Sequence, residues 1–275
     1  HLRYFLFRKI KGFPWDKLKT IVTADKVAGN TNMFSFLYYL LLIVISNVSA
    51  YRGLKKVENG VEPRVFGGEI LRPEVHKYMV ALNISRTGTC SGSIISERWV
   101  ITSAHCFLTP QKVTIFQKTS GNSKFIASVK PEDVYVHPAY TDGNLFYYYD
   151  IAMMKTYKPI QFNENVQPIR LAIVDPKDGQ CGVIAGYGDS ERNAPGPREG
   201  VVFITKCEGA PKALCSDSIV RGGSGDSGGP LVSRRRLVGV TSASCRDVEE
   251  PKECKTYYAS VAFNRDWILA IMEYL

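Results

Sequence analysis

No Cys-x-x-Cys pair occurs in this 275-residue chain, which removes the common zinc frameworks. No internal repeat or low-complexity tract is visible, which removes repeat architectures. No acidic loop with calcium-ligand spacing stands out. The longest apolar run, Met33 to Ser46, falls short of the roughly 20 residues of a membrane-spanning helix. A basic face interleaved with aromatics is also missing, so the net charge of +9 does not indicate nucleic acid. Residues 1–64 hold 11 Lys/Arg against 4 Asp/Glu, and residues 65–275 hold 24 against 22. The basic excess therefore lies mostly in residues 1–64.

Hydrophobic residues make up 45% of the chain, enough for a sizeable core and too many for global disorder. Seven cysteines stand at 90, 106, 181, 207, 215, 245 and 254. They read as disulfides formed in an oxidising compartment, with the odd count leaving one thiol over.

The apolar run is followed by Asn47-Val48-Ser49-Ala50. A short apolar core ending in small residues reads as a secretory signal peptide, residues 33–50, cut after Ala50. Met33 is then a natural start, and residues 1–32 are expected to be absent from the mature protein. The competing reading is a type II anchor, since residues 1–32 carry seven Lys/Arg and two Asp/Glu, as a cytoplasmic flank would. The length of the run favours the signal peptide.

From Val65 onward the pattern is β. Lys77–Ile84, Ser93–Ser103, Val113–Phe116, Ile151–Lys155, Val183–Gly186, Val201–Thr205 and Leu237–Thr241 are apolar or alternating runs separated by Gly, Pro, Asn and Asp. Such strands build a sandwich or a pair of barrels. Asn264 to Met272 instead places Trp267, Ile268 and Ile271 on one helical face.

Three motifs carry chemistry. Gly225-Asp226-Ser227-Gly228-Gly229-Pro230 puts a serine between glycines, in a turn that a substrate carbonyl can approach closely. Upstream, Thr102-Ser103-Ala104-His105-Cys106 supplies a histidine, and Asp150-Ile151-Ala152 a carboxylate. A serine hydroxyl needs a base to become a nucleophile, and the base needs an orienting acid. With these motifs in the order His, Asp, Ser, the chain resembles secreted serine proteases of the trypsin/chymotrypsin family over residues 64–275.

The resemblance implies an all-β fold, two antiparallel six-stranded β-barrels with a C-terminal helix. It implies a catalytic triad of His105, Asp150 and Ser227, an oxyanion hole from the amides of Gly225 and Ser227, and support of the aspartate by Ser242. Residues 51–64 then form an activation propeptide ahead of a peptidase domain at 65–275. Cleavage after Arg64 would free the amine of Val65, which folds inward to pair with Asp226. The leader has no cysteine, so the released propeptide would not stay attached. The family bridges are implied for Cys90 with Cys106 and for Cys207 with Cys215.

Departures from the family pattern concentrate at the specificity pocket. Gly223 and Ser233 stand where cysteines are usual, leaving Cys181 without its expected partner and the pairing of Cys181, Cys245 and Cys254 open. Arg221 stands where proteases that cut after Lys/Arg carry Asp. It either faces the pocket, repelling basic and attracting acidic side chains, or points to solvent. Ser242-Ala243-Ser244 stands where the family has Ser-Trp-Gly, so an apolar wall is lost with the Trp, and Ser244 in place of Gly, with Thr256 near the opposite wall, is expected to narrow the pocket. Asn83-Ile84-Ser85 is a glycosylation sequon. Arg234-Arg235-Arg236 reads as a solvated hairpin tip rather than a site for an anionic partner.

The expectation is a secreted, monomeric zymogen of a serine endopeptidase that needs no cofactor and is not tryptic in preference. Its partners would be protein or peptide substrates, an activating protease and protein inhibitors, with neither nucleic acid nor a stable membrane association. The alternative is a catalytically weak homologue that acts as a secreted binding protein.

Overall fold

Strict alternation along the strands divides the apolar side chains of Val65–Leu275 between separate cores. In β2 (Met79–Ile84), Val80, Leu82 and Ile84 pack into one cluster, while Met79 and Ala81 pack into another. Trp99 and Ile101 of β4 (Trp99–Thr102) join Met79, and Val100 joins Val80. Successive strand side chains point to opposite faces, so a strand buried on both sides serves two cores. The first cluster fills the N-terminal sheet. The second also contains Ala185, Leu237, Val240 and Ile268, so it is the seam between the two halves.

The computed structural model describes residue 65 and residues 68–85, 88–119, 122–141, 146–188, 196–217, 220–244 and 255–275. All lie in the unit Val61–Leu275. The propositions about the signal peptide, the anchor and the propeptide concern residues outside this set, as does the pairing of Cys245 and Cys254.

The N-terminal sheet runs in the order β6 (Asn122–Val129), β5 (Val113–Thr119), β2, β3 (Gly88–Ile94), β4, β8 (Ala152–Lys155), β7 (Val134–Val136). It is antiparallel throughout and curls into a half-barrel. The second sheet places β1 (Glu69–Ile70) beside β11 (Arg198–Lys206). From β11 it continues through β10 (Gln180–Gly186), β13 (Pro230–Ser233), β14 (Arg236–Ser244), β15 (Lys255–Ser260) and β12 (Ala213–Asp217). β12 pairs back onto β11 and closes a six-stranded barrel. β9 (Arg170–Leu171) adds to β14 in parallel. The helix α1 (Arg265–Tyr274) buries Ile268 and packs Trp267, Ile271 and Met272 against the seam, as the sequence pattern predicts.

One predicted strand, Ser93–Ser103, is instead the end of β3, a turn at Ser96–Arg98 and the whole of β4, with Ile95 N–H donating to Trp99 O at 3.0 Å. The apolar residues flank a polar turn, and the hairpin buries both arms. β6 was not foreseen, because its first four residues are exposed and show no alternation.

A buried polar cluster ties the N-terminal segment to β11. Glu199 is 5% exposed and His76 3%. His76 Nε2 lies 2.6 Å from Glu199 Oε2, and Arg72 Nε donates to Glu199 Oε1 at 2.7 Å. Tyr78 OH lies 2.8 Å from His76 Nδ1. A neutral imidazole carrying its proton on Nε2 lets Nδ1 accept from Tyr78 OH, while Nε2 lies close to Glu199 without an aligned hydrogen bond. Burial pushes the His76 pKa below 6.5, with the Glu199 charge opposing but not reversing the shift. In acid the unfolded chain therefore binds the His76 proton more readily than the folded one. The stability from neutral His76 is complete above about pH 6.5 and is lost as pH falls below it. Urea unfolding at pH 7.5 and pH 5 is expected to show a loss on acidification that is smaller in His76→Gln.

Candidate active site

Asp150 is fully buried just after a 3-10 turn, Phe146–Tyr148, in a run of aromatics. Tyr147 stacks on Tyr257 at 4.9 Å, Tyr149 stacks on His137 at 4.7 Å, and Asn264 Nδ2 holds the Tyr148 carbonyl at 2.9 Å. This packing fixes the backbone that presents the carboxylate.

Three donors converge on Asp150. His105 N–H reaches Oδ1 at 2.9 Å, and His105 Nδ1 reaches Oδ2 at 2.7 Å. Ser242 Oγ donates to the same Oδ2 at 2.5 Å. His105 sits in a second 3-10 turn, Ala104–Phe107, pinned by the disulfide between Cys90 and Cys106. With Nδ1 donating to the carboxylate, Nε2 is the basic nitrogen. The His105 side chain is 30% exposed, so that nitrogen can meet a substrate.

The loop carrying Ser227 lies against the same turn. A methyl group added at Gly228 (φ +80°) would fall 2.0 Å from Thr102 Oγ1 and 2.9 Å from Ser103 N. Gly225 (φ +88°) passes so close to Gly188 that a side chain would overlap its Cα at 2.8 Å. Both positions combine a left-handed backbone with no room, which only glycine tolerates. Asp226, 2% exposed, accepts from Gly188 N–H and Gly223 N–H, each at 2.8 Å. Val65 is buried at 1% exposure in the C-terminal barrel cluster. Arg64 lies outside the described residues.

Residues that sequence reasoning did not single out complete the arrangement. Ser91, fully buried, donates through Oγ to Gly225 O at 3.0 Å and accepts there from Tyr187 N–H at 3.0 Å. Its own N–H donates to Ser227 O at 2.8 Å. Gly186 and Gly188 leave the space that the Asp226 carboxylate occupies. The only local signal for these two was the Gly-Tyr-Gly that ends β10.

At the expected specificity pocket, Ser244 Oγ and Thr256 Oγ1 meet at 3.1 Å across the paired strands β14 and β15. Arg221 is 7% exposed, so it does not point to solvent. Ser242 and Thr256 are buried, and Ala243 and Ser244 partly so. The disulfide between Cys207 and Cys215 is formed, and Cys181 is a free, exposed thiol. Ser233, standing in place of its expected partner, donates instead to the Cys181 carbonyl at 2.6 Å. Asn83 is the exposed position of β2, open to a glycan. Among the described residues no cluster of potential metal ligands occurs, and no helix is long and apolar enough to cross a membrane.

Comparison with known proteins agrees with this geometry. The trypsin family model matches residues 65–268. Trypsin epsilon of Drosophila erecta is 28% identical, the match spanning 83% of this chain and 97% of that protein. Trypsin-2 of Salmo salar is 27% identical over 77% of this chain and 96% of its own length. Trypsin 5G1 of Aedes aegypti reaches 30% over 74% and 84%. Among solved structures, neuropsin, a serine protease expressed in the limbic system of mouse brain, superposes with a TM-score of 0.63 at 26% identity. That superposition covers 75% of this chain and 99% of neuropsin. By fold, by motif order and by sequence, the chain belongs to the trypsin family of serine proteases.

Proposed function

We propose that this chain is a secreted serine endopeptidase, made as an inactive precursor and activated by cleavage between Arg64 and Val65. The observation that carries the reading is the anchoring of His105 through Nδ1 to a buried, Ser242-supported Asp150, beside the turn that bears Ser227.

In this reading Ser227 Oγ attacks the carbonyl carbon of the scissile peptide, and its proton passes to His105 Nε2. The carbonyl oxygen takes the negative charge and accepts from the amides of Gly225 and Ser227. Collapse of the tetrahedral intermediate breaks the C–N bond, and His105 gives its proton to the departing amine. Water then repeats the sequence in reverse and frees Ser227 from the acyl-enzyme. Asp150 keeps His105 in the productive tautomer and stabilises the imidazolium. No cofactor enters these steps.

The preference at the residue before the cleaved bond is non-tryptic. Arg221 supplies no negative charge for a basic side chain, and the Ser244–Thr256 hydroxyl contact takes up room that a long side chain needs. The activating cleavage frees the amine of Val65, which pairs with Asp226 and orders the oxyanion loop. The partners of this activity are protein or peptide substrates, an activating protease and protein inhibitors, acting outside the cell on a monomer.

A fluorophosphonate probe tests the reading. Residues 51–275 would be secreted from a host cell and cleaved after Arg64, with Ser227→Ala alongside. Labelling that depends on cleavage and is absent from Ser227→Ala is the expected result, followed by peptide-library profiling without Lys or Arg at the cleaved position. A cleaved, folded product that takes no label would instead assign the chain to non-catalytic binding.

A further inference from the structure

Arg234-Arg235-Arg236 reads in the sequence as a solvated tip, but the structure gives it a neighbourhood. The β13–β14 hairpin turns through Arg234 and Arg235, whose φ values are +49° and +61°. A two-residue turn with both residues in the left-handed region normally takes Asn-Gly. Arginine there is strained, and a residue held in strain points to a use beyond closing the turn.

These arginines line a groove of about 970 Å³ together with Arg72 and Arg170. Arg170 lies beside Arg236 in the parallel register of β9 and β14. Arg72 is answered by Glu199, and Arg236 Nη1 donates to Leu171 O at 3.1 Å. Arg170, Arg234 and Arg235 are exposed and form no ion pair among the described residues. Glu74 is the one carboxylate on the wall among the described residues. The groove is therefore strongly positive, and its guanidinium groups suit carboxylates. It shares no residue with the His105, Asp150, Ser227 site.

The wall is also apolar. Val75 and Val201 line the groove at 50% and 59% exposure. Phe203, two residues along β11 on the same face, is 56% exposed. A sulfated polysaccharide would pair with the arginines but leave these side chains uncovered. An extended peptide can place acidic side chains on the arginines and apolar ones on the valines. The chain's own residues 51–64 do not fit, because they carry four Lys/Arg against two Glu.

We propose that this groove is a docking site for an acidic segment, bearing apolar side chains, of a partner protein. The occupant binds by charge at Arg170, Arg234, Arg235 and Arg236 and by contact with Val75 and Val201, independently of the peptidase site.

The test uses the full chain in a Ser227→Ala background, so that no probe is cut. The probe is a fluorescein-labelled peptide of about twelve residues, mostly Asp and Glu with Leu and Phe interspersed, read by fluorescence anisotropy. Binding is expected to weaken with salt. In the double variant Arg234→Asn with Arg235→Gly it is expected to weaken by about tenfold or more. That variant installs the preferred turn residues and should unfold at a higher temperature, so misfolding cannot explain a loss. Val75→Ser with Val201→Ser should weaken peptide binding several-fold and leave heparin binding unchanged. Peptide affinity that is the same with and without Arg234 and Arg235 would overturn the proposal. So would heparin binding more tightly than the peptide while the valine variants bind the peptide normally, which would assign the face to a polysaccharide.

Discussion

Asp150→Asn is expected to lower kcat on the order of 10⁴-fold, with KM nearly unchanged and the fold intact. The carboxylate accepts from three donors: the His105 main chain at Oδ1, and His105 Nδ1 and Ser242 Oγ at Oδ2. An amide has one acceptor atom. If its NH₂ group took the Oδ1 position, it would face a main-chain N–H that cannot turn away. If it took the Oδ2 position, Ser242 could rotate its hydroxyl and His105 could change tautomer. The second arrangement is therefore favoured. Nδ1 then becomes the acceptor, the proton moves to Nε2, and Ser227 loses its base. Steady-state and single-turnover kinetics on the activated protein check this. A kcat within about tenfold of the parent would mean that Asp150 does not govern the tautomer.

Gly186→Ala is expected to displace Asp226 and to be strongly destabilising. Its Cβ would fall 1.8 Å from Asp226 Oδ1 and 2.4 Å from Cγ. The carboxylate would have to leave the amides of Gly188 and Gly223 while remaining in the interior, and each of these hydrogen bonds to a buried charge is worth about 1.5–3 kcal/mol. Gly182→Ala on the same strand is the control. There the new atom meets Leu231 Cδ1 at 2.8 Å and Ile204 Cδ1 at 3.0 Å, and such methyl groups can shift, at about 1–3 kcal/mol. Urea unfolding should separate the two, and fluorophosphonate labelling should disappear in Gly186→Ala alone. Equal losses would mean that crowding, not displacement of Asp226, sets the cost.

The candidate triad was legible because each member sits in a short local motif, and glycines on both sides of Ser227 constrain the backbone whatever surrounds it. The strands of the cores were legible where burial on one or two faces leaves a pattern, as in Lys77–Ile84 and Leu237–Thr241. Long-range geometry left no such trace. Ser91 is one more small residue in an apolar strand until Gly225, Tyr187 and Ser227 are brought around it. Glu199 and His76 lie 123 residues apart in the chain, and nothing near either announces a buried pair. The hairpin tip at Arg234 and Arg235 was legible as a basic knot between two apolar runs, but the left-handed backbone its residues adopt was not, because turn chemistry disfavours arginine there. Arg221 was left between two orientations, because a lone arginine in a loop does not reveal whether the fold will cover it.

Ser91 has a consequence for the order in which the molecule matures. It belongs to β3 of the N-terminal sheet, yet its hydroxyl and its amide both hold the segment Gly225–Ser227 from the other half. Neither half alone contains the parts that shape that loop. The C-terminal barrel could be fully paired and still carry a slack serine loop until the seam around Met79, Ile101 and Leu237 has closed. During refolding, then, recovery of secondary structure should run ahead of recovery of a reactive Ser227, with the gap measuring how long the halves take to find one another. If Ser227 is the nucleophile proposed above, its reactivity is a report on assembly as much as on chemistry, and a chain caught half-built would be harmless to its neighbours.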